Sequence, residues 1–229
     1  MKALVTQSNY IPWKGYFDNI ARCDVWVIYD DMQFTRRDWR NRNYVKTPNG
    51  LKWLTVPVEV TGKFHQKINE TVVAERDWNI NHWKQLEQLY RKAPCYGEVS
   101  PWVRDLYMSA THTHLTEINL HFARAILQFL GIRAEIKDSR EFNLADGKTE
   151  RLVSICRDLA ATTYLTGPAA KDYMEEEQFT KNGIDVVYFD YGGYPEYPQL
   201  HPPFEHGVTI LDLIFNVGSQ ARRFLKYFS

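Results

Sequence analysis

Apolar and polar positions follow two different periods along the chain, and the switches between them mark its organisation. Lys2 to Gln7 reads as a first strand. Val25-Trp26-Val27-Ile28-Tyr29 reads as a second, an unbroken apolar run of the kind buried on both faces of a sheet. Between them Pro12 suits a helix's first turn, and Tyr16, Phe17, Ile20 and Ala21 recur at helical spacing, which predicts a βαβ unit. Asn43 to Thr47, the Pro48-Asn49-Gly50 turn and Lys52 to Pro57 read as a hairpin, because Asn-Gly readily takes up positive φ. From Asn79 the period lengthens: Ile80, Trp83, Leu86, Leu89 and Tyr90, then Val103, Leu106 and Tyr107, then Ile118, Phe122, Ile126 and Phe129. This predicts a helical section over roughly 79–131, with Gly131 as its C-cap.

Alternation then resumes. A return strand starts over Arg133 to Ile136, followed by a helix from Lys148 to Ala161, a strand at Thr163 to Leu165, a helix from Lys171 and a strand at Asp185 to Phe189. Tyr191 to Pro203, dense in glycine, proline and tyrosine, reads as an irregular loop, and helices at Thr209 to Asn216 and Ser219 to Tyr227 close the chain. The expected fold is α/β: a mostly parallel sheet with helices on both faces, a β-hairpin after the second strand and a helical middle section. It is expected to form one domain over 1–229 with a helical subdomain near 79–131.

Composition narrows the function classes. Lysine plus arginine equals aspartate plus glutamate, 28 each, which argues against nucleic acid as a whole-chain partner, although Arg36, Arg37, Arg40 and Arg42 cluster locally. The apolar run at the N-terminus is too short for a secretory signal, and no stretch approaches the roughly 18 apolar residues of a membrane span, so a cytoplasmic protein is expected. Cys23, Cys95 and Cys156 are odd in number and widely spaced, which suits reduced thiols rather than a disulfide framework or zinc knuckle. Aromatic residues make up 14% of the chain, and Tyr and Trp suit sugars, bases and interfaces as well as cores.

Candidate chemistry gathers where strands end. Gln7, Tyr10, Trp13 and Lys14 lie on a polar, aromatic loop leaving the first strand for a helix, at the carboxyl edge where open α/β sheets bind ligands. The plainer reading is a connecting loop whose aromatics cover the sheet edge. Asp30, Asp31 and Gln33 follow the second strand; carboxylates there can fix substrate hydroxyls or take a proton, or merely cap a turn. Trp39, Arg40, Asn41 and Arg42 put arginine forks beside an indole, a set suited to a phosphate next to a ring, whereas most arginine runs are solvated faces.

The order of these segments resembles the WbqC-like family. The resemblance rests on Gln7-x-x-Tyr10-x-Pro12-Trp13-x-Gly15-Tyr16-Phe17, Asp30-Asp31-x-Gln33, Trp39-Arg40-Asn41-Arg42, Gly147-Lys148-Thr149-Glu150-Arg151, Tyr164-Leu165-x-Gly167 and Leu211-Asp212-Leu213-Ile214-Phe215-Asn216-x-Gly218. It implies bacterial origin and a setting among genes for O-antigen, capsule or glycosylated-flagellin synthesis. It brings no reaction with it, so the mechanism has to come from the residues.

Gly147-Lys148-Thr149 is not a P-loop, because Phe142 stands where that motif needs glycine. It reads instead as a helix start with Asp146 as N-cap, where Lys148 and Thr149 could receive an anion. The seven histidines form no metal-ligand pattern, so no metal site is expected, and no cofactor is identified. His82 and His206 are candidate bases, with a partly buried helix histidine as the plainer reading of His82; Cys156 fits an apolar stripe and reads as core. Asp190, Tyr191, Tyr197 and Gln199, with Gly167 across from them, complete a polar and aromatic wall.

The catalytic candidates are thus Asp31, Asp190, His82 and His206, with Asp31 and Asp190 expected to share one crevice. The expected function is a transferase of surface-glycan or amino-sugar precursor synthesis, passing an acyl or aminoacyl group to a nucleotide-linked amino sugar. An acyl carrier could serve as its donor. The alternatives are an enzyme like the HIGH-motif nucleotidyltransferases, although Trp13 and Tyr16 stand where those place histidines, and a non-catalytic sugar-binding scaffold. The residues do not specify an oligomeric state.

Overall fold

The protein is described by a computed structural model over residues 1–228. Strands β1 (Lys2–Thr6), β2 (Val25–Ile28), β5 (Glu135–Asp138), β6 (Thr163–Thr166) and β7 (Asp185–Tyr188) form a parallel sheet in the order β5-β2-β1-β6-β7. The hairpin β3 (Arg42–Thr47) and β4 (Gly50–Thr55) is a separate antiparallel pair. Helices are α1 (Lys14–Ala21), α2 (Trp78–Tyr90), α3 (Tyr96–Met108), α4 (Leu115–Leu130), α5 (Lys148–Asp158), α6 (Glu176–Lys181) and α7 (Ile210–Val217).

Side-chain alternation sorts these into layers. Ala3, Val5, Val25, Val27 and Tyr164 pack with α5 and α6 through Leu152, Ile155, Cys156 and Phe179. Leu4, Trp26, Ile28 and Leu165 turn the other way, onto α1, α4 and α7, and this core runs on without a break into α2, α3 and the hairpin. Both faces of the sheet are therefore covered, which is why its strands are apolar throughout.

The strand order contains one reversal of winding. From β1 the chain lays down β2 and then β5 on one side, crosses through α5, and continues with β6 and β7 on the other side. The direction reverses between β1 and β6, the point of an open α/β sheet at which the loops after adjacent strands run to opposite sides.

Several boundaries differ from the periodicity, each for a local reason. The expected helix from Lys171 is a 3-10 turn, Pro168–Asp172, followed by the short α6. The expected helix over 219–227 is a 3-10 stretch, Gly218–Phe224, because Gly218 at φ 54°, ψ −133° ends α7 and an i, i+3 spacing then turns Gly218 and Ala221 inward. The N-cap of α5 is Gly147 at φ 95°, not Asp146, since the Glu150 carboxylate folds into the space a side chain on Gly147 would need. Gly131 does cap α4 in the left-handed conformation.

Candidate functional site

The β1–α1 loop at the winding reversal is braced from beneath. Asp30, directly after β2, is 2% exposed and accepts the Ser8 backbone N–H at 2.7 Å, the Ser8 hydroxyl at 2.6 Å and the Thr116 hydroxyl at 2.7 Å. Burial pushes this carboxyl above its ordinary range, while the three donors and nearby Arg40 pull it back down. Asn119 of α4 donates to Ser8 Oγ and to the Arg40 carbonyl, both at 2.9 Å. Asp30 thus serves as an internal strut rather than a contact at the crevice mouth. What it fixes is the stretch above it: half-buried Gln7 and Asn9, and Arg40, whose guanidinium binds Asn9 Oδ1 and lies 3.7 Å from Asp38.

Across the reversal, Tyr191 Oη accepts from Asn19 Nδ2 at 3.2 Å and sits so near Gly167 that a Cβ there would lie 3.2 Å from it. Tyr16 donates to the Gln7 carbonyl at 2.8 Å. Trp13 lies edge-on to Tyr191, 5.6 Å between centroids, and its indole covers Gly15 so closely that an added Cβ would overlap the ring. The Trp13-x-Gly15 pair is a packing unit, and the glycine is required by its neighbour. Gln7, Trp13, Arg40, Gly167 and Tyr191 therefore gather around the β1–β6 opening.

Alongside, the 191–206 segment is strapped down by two buried lysines. Lys14, at the start of α1 and 2% exposed, donates to the Pro195 carbonyl, with the rings of Tyr197, Tyr194 and Phe204 at 5.1, 5.6 and 5.9 Å from Nζ. Burial lowers its pKa to about 8, against opposing pull from Asp18 and Glu196. Lys46 of β3 donates to the Pro203 carbonyl. Fully buried Asp212 takes the Tyr197 hydroxyl at 2.7 Å, Gln199 Nε2 at 2.9 Å and the Tyr90 hydroxyl at 2.9 Å. Tyr197 and Gln199 accordingly hold the strap to α7. His206 packs edge-on against Phe204 at 4.6 Å, its Nδ1 is buried without a partner, and burial with the Lys14 charge lowers its pKa.

Other candidates lie elsewhere. Tyr10 is fully buried and belongs to a relay: Tyr107 and Tyr10 hydroxyls are 2.8 Å apart, Tyr10 Oη is 2.8 Å from His82 Nδ1, and His82 Nε2 is 3.0 Å from the Thr55 carbonyl. A carbonyl only accepts, so His82 carries its proton on Nε2, Nδ1 accepts from Tyr10, and Tyr10 accepts from Tyr107. Burial lowers the His82 pKa to about 4.

Asp31 pairs with Arg151 of α5 and accepts from Ser139 at 2.6 Å. Asp190 is exposed and bound to Lys226 at 2.7 Å, a pairing that lowers its pKa. The two carboxylates follow β2 and β7, three strand spacings apart, or about 14 Å. They do not form the joint pair expected from sequence, because the intervening β1 and β6 are inserted between their strands. Gln33 is exposed and donates to the Phe64 carbonyl at 2.8 Å; Asn41 is buried and donates to the Val56 carbonyl at 2.8 Å. Lys148 is exposed on α5, whereas Thr149 is buried and accepts from the Glu175 backbone. Trp39 and Arg42 lie against the outer face of the hairpin. Cys156 is fully buried, with its thiol pushed up to about 12 by burial.

Residues that periodicity passes over include Ser8, Asn19, Lys46, Asn119 and Asp212. Asp212 carried a readable signal: a lone acid inside the apolar run Ile210 to Phe215 must find buried donors. Among the described residues, no group of three or more His, Cys, Asp or Glu is arranged to hold a metal ion, and no helix is long and apolar enough to cross a membrane.

A parallel sheet wound both ways, with a braced polar loop at its reversal, defines a doubly wound α/β protein. Within that class the chain belongs to the WbqC-like protein family, whose model matches residues 7–224. It is similar to an uncharacterized protein of Mycobacterium tuberculosis H37Rv, 50% identical over 226 residues, covering 99% of this chain and 98% of that one. No solved structure matches it.

Proposed function

We propose that the protein is a cytoplasmic transferase of surface-glycan or amino-sugar precursor synthesis, passing an acyl or aminoacyl group to the amine of a nucleotide-linked sugar held at the β1–β6 reversal. The observation that carries this reading is the bracing of Ser8 by buried Asp30, which holds Gln7, Asn9 and Arg40 in place at the mouth before any substrate arrives. A buried acid is an expensive way to support a loop whose only task is connection. Arg40 suits a phosphate oxygen, and the Gly167–Tyr191 wall suits a sugar or base.

The proton lost by the attacking amine is assigned to His206. It lies on the strap beside Phe204, and burial with the Lys14 charge lowers its pKa, which favours the neutral ring that can accept. The donor this chemistry would use is an acyl carrier, whose thioester C–S bond breaks as the amide forms and whose thiol leaves with the proton taken from the amine. Thermal-shift titration tests the reading. A nucleotide-linked amino sugar at about 100 times its Kd should stabilise the protein by about 2.7 kcal/mol, and Arg40→Ala should weaken that effect. No shift with any nucleotide sugar, or the same shift in Arg40→Ala, would remove the assignment.

Nucleotidyl transfer is a second reading, favoured by the strand order, whose reversal point suits a nucleotide. Against it, Trp13 and Tyr16 occupy the positions at which the HIGH-motif enzymes use histidines. A shift with ATP but none with nucleotide sugars would favour it.

A further inference from the structure

The outer face of the hairpin carries an aromatic group that the core does not use. Tyr44 and Trp53 are register partners across β3 and β4, and their rings stack at 3.7 Å and 26°. Arg42, two residues before Tyr44 and so on the same face, places its guanidinium 3.8 Å from the Trp53 ring centre. Two groups this close to one centroid must occupy opposite faces, so both faces of Trp53 are taken. Trp39 leans on the pair at a tilt, 5.3 Å and 52° from Trp53 and 5.9 Å and 73° from Tyr44, and is itself 41% exposed.

The backbone beneath Trp39 is held still. Asp38 accepts the Thr35 hydroxyl at 2.6 Å and the Trp39 N–H at 2.7 Å, Arg42 donates to the Arg37 carbonyl, and Arg37 takes a positive φ of 61° that a non-glycine residue adopts only under constraint. The Trp39 carbonyl accepts from Tyr10 N at 3.1 Å, which ties this turn to the β1–α1 loop. An exposed indole with fixed edges and a fixed backbone is preorganised for a flat apolar ligand surface. Around it, Arg42 gives Nη2 to the Arg37 carbonyl and leaves Nη1 outside that bond, and the exposed Arg37 adds a second cation.

We infer that Trp39, backed by Tyr44 and Trp53 and flanked by Arg37 and Arg42, is a subsite for an anionic saccharide, whose ring lies on the free indole face while its carboxylate or phosphate meets the arginines. The inference rests on the sugar-transfer reading and places a second sugar contact beside Arg40, outside the crevice. A ring whose C–H face is apolar and whose rim is polar matches an indole edged by guanidinium donors.

Calorimetric titration of the full chain with glucuronate and with N-acetylglucosamine 1-phosphate tests it, with glucose and uridine monophosphate as controls. Protein containing 5-fluorotryptophan reports on Trp39 directly, its resonance assigned by Trp39→Phe. Both anionic sugars should bind and shift the Trp39 resonance, Trp39→Ala should weaken them at least about tenfold, and Arg42→Lys should weaken them several-fold, since lysine cannot lie flat on Trp53. Unfolding curves of each variant establish that it is folded at the titration temperature, so that a loss of binding is read on native protein. Absence of binding, unchanged binding in Trp39→Ala, or a stronger Trp39 response to uridine monophosphate than to the sugars would each overturn the subsite. The crevice reading is separate: it stands if the Arg40-dependent shift with nucleotide sugars persists in Trp39→Ala, and falls if that shift is missing.

Discussion

Asp31 and Arg151, from the end of β2 and the first turns of α5, form an ion pair in which the carboxylate side chain is only 8% exposed, and Ser139 donates to its other oxygen at 2.6 Å. A carboxylate so occupied is an anchor for a cation before it is a base. Asp31→Asn should therefore leave the Arg151 guanidinium poorly compensated and cost about 1–3 kcal/mol. Combining it with Arg151→Gln should recover part of that loss, and a double-mutant cycle by urea unfolding reads the coupling. Additive losses would show that the pair contributes nothing to the fold.

Asp30 should be less forgiving. Ser8 and Thr116 direct three donors at its two oxygens, whereas the side-chain amide of an Asp30→Asn variant would offer one acceptor oxygen and turn an NH2 group towards a donor. A loss of about 2–4 kcal/mol is expected, along with weakened nucleotide-sugar binding, because the β1–α1 loop loses its strut. Wild-type stability in this variant would show the brace to be unnecessary.

The buried relay imposes a pH signature. His82 has a pKa lowered to about 4 in the folded protein, against about 6.5 when unfolded, so the unfolded chain binds the extra proton between these values. Its contribution to stability is complete above about 6.5 and is lost as pH falls towards 4, by about 3 kcal/mol in all. His82→Gln should unfold more easily at pH 7, having lost a fitted ring, yet show a flatter dependence over that window. Parallel profiles for the two proteins would mean that His82 does not titrate there.

Lys14 works in the opposite part of the scale. With its pKa lowered to about 8 from 10.5, the folded state releases the proton first, so stability rises with pH between 8 and 10.5 as burial ceases to oppose a charge. Lys14→Met, an unbranched chain one atom shorter and without the charge, should remove that rise, worth roughly 1–2 kcal/mol after screening at the edge of the strap. Chemical denaturation across this range, compared with wild type, checks it; an unchanged slope would show that the ammonium is already well solvated.

Much of the architecture could be read from local pattern. The βαβ start, the helical middle and the return to alternation appear where apolar spacing put them, because a strand covered on both faces must be apolar throughout and a helix facing a core must repeat at 3.6, and the hairpin forms with its tip at Pro48-Asn49 and Gly50 opening β4. The site was legible only as a set of loops at one edge. Gln7, Arg40, Gly167 and Tyr191 were picked out because they follow strands or flank them; Gly167 and Tyr191 lie against one another, and Arg40 bonds the loop after β1. Tyr10 was picked out by the same reasoning and sits inside the core instead, while His82, a candidate base beside the plainer reading of a partly buried helix histidine, takes the plainer one.

What the sequence determined by itself was therefore the kind and order of elements, since those depend on residues within a turn or two of one another. The tertiary structure alone decided which polar groups stay at the surface of the sheet's edge and which serve as internal ties. Ser8 is bound to an acid 22 residues away, Asp30 to a threonine 86 away, Asp31 to an arginine 120 away and Lys14 to a carbonyl 181 away. A buried charge must be satisfied by whichever donor or acceptor the packing brings to it, and no local period records that choice.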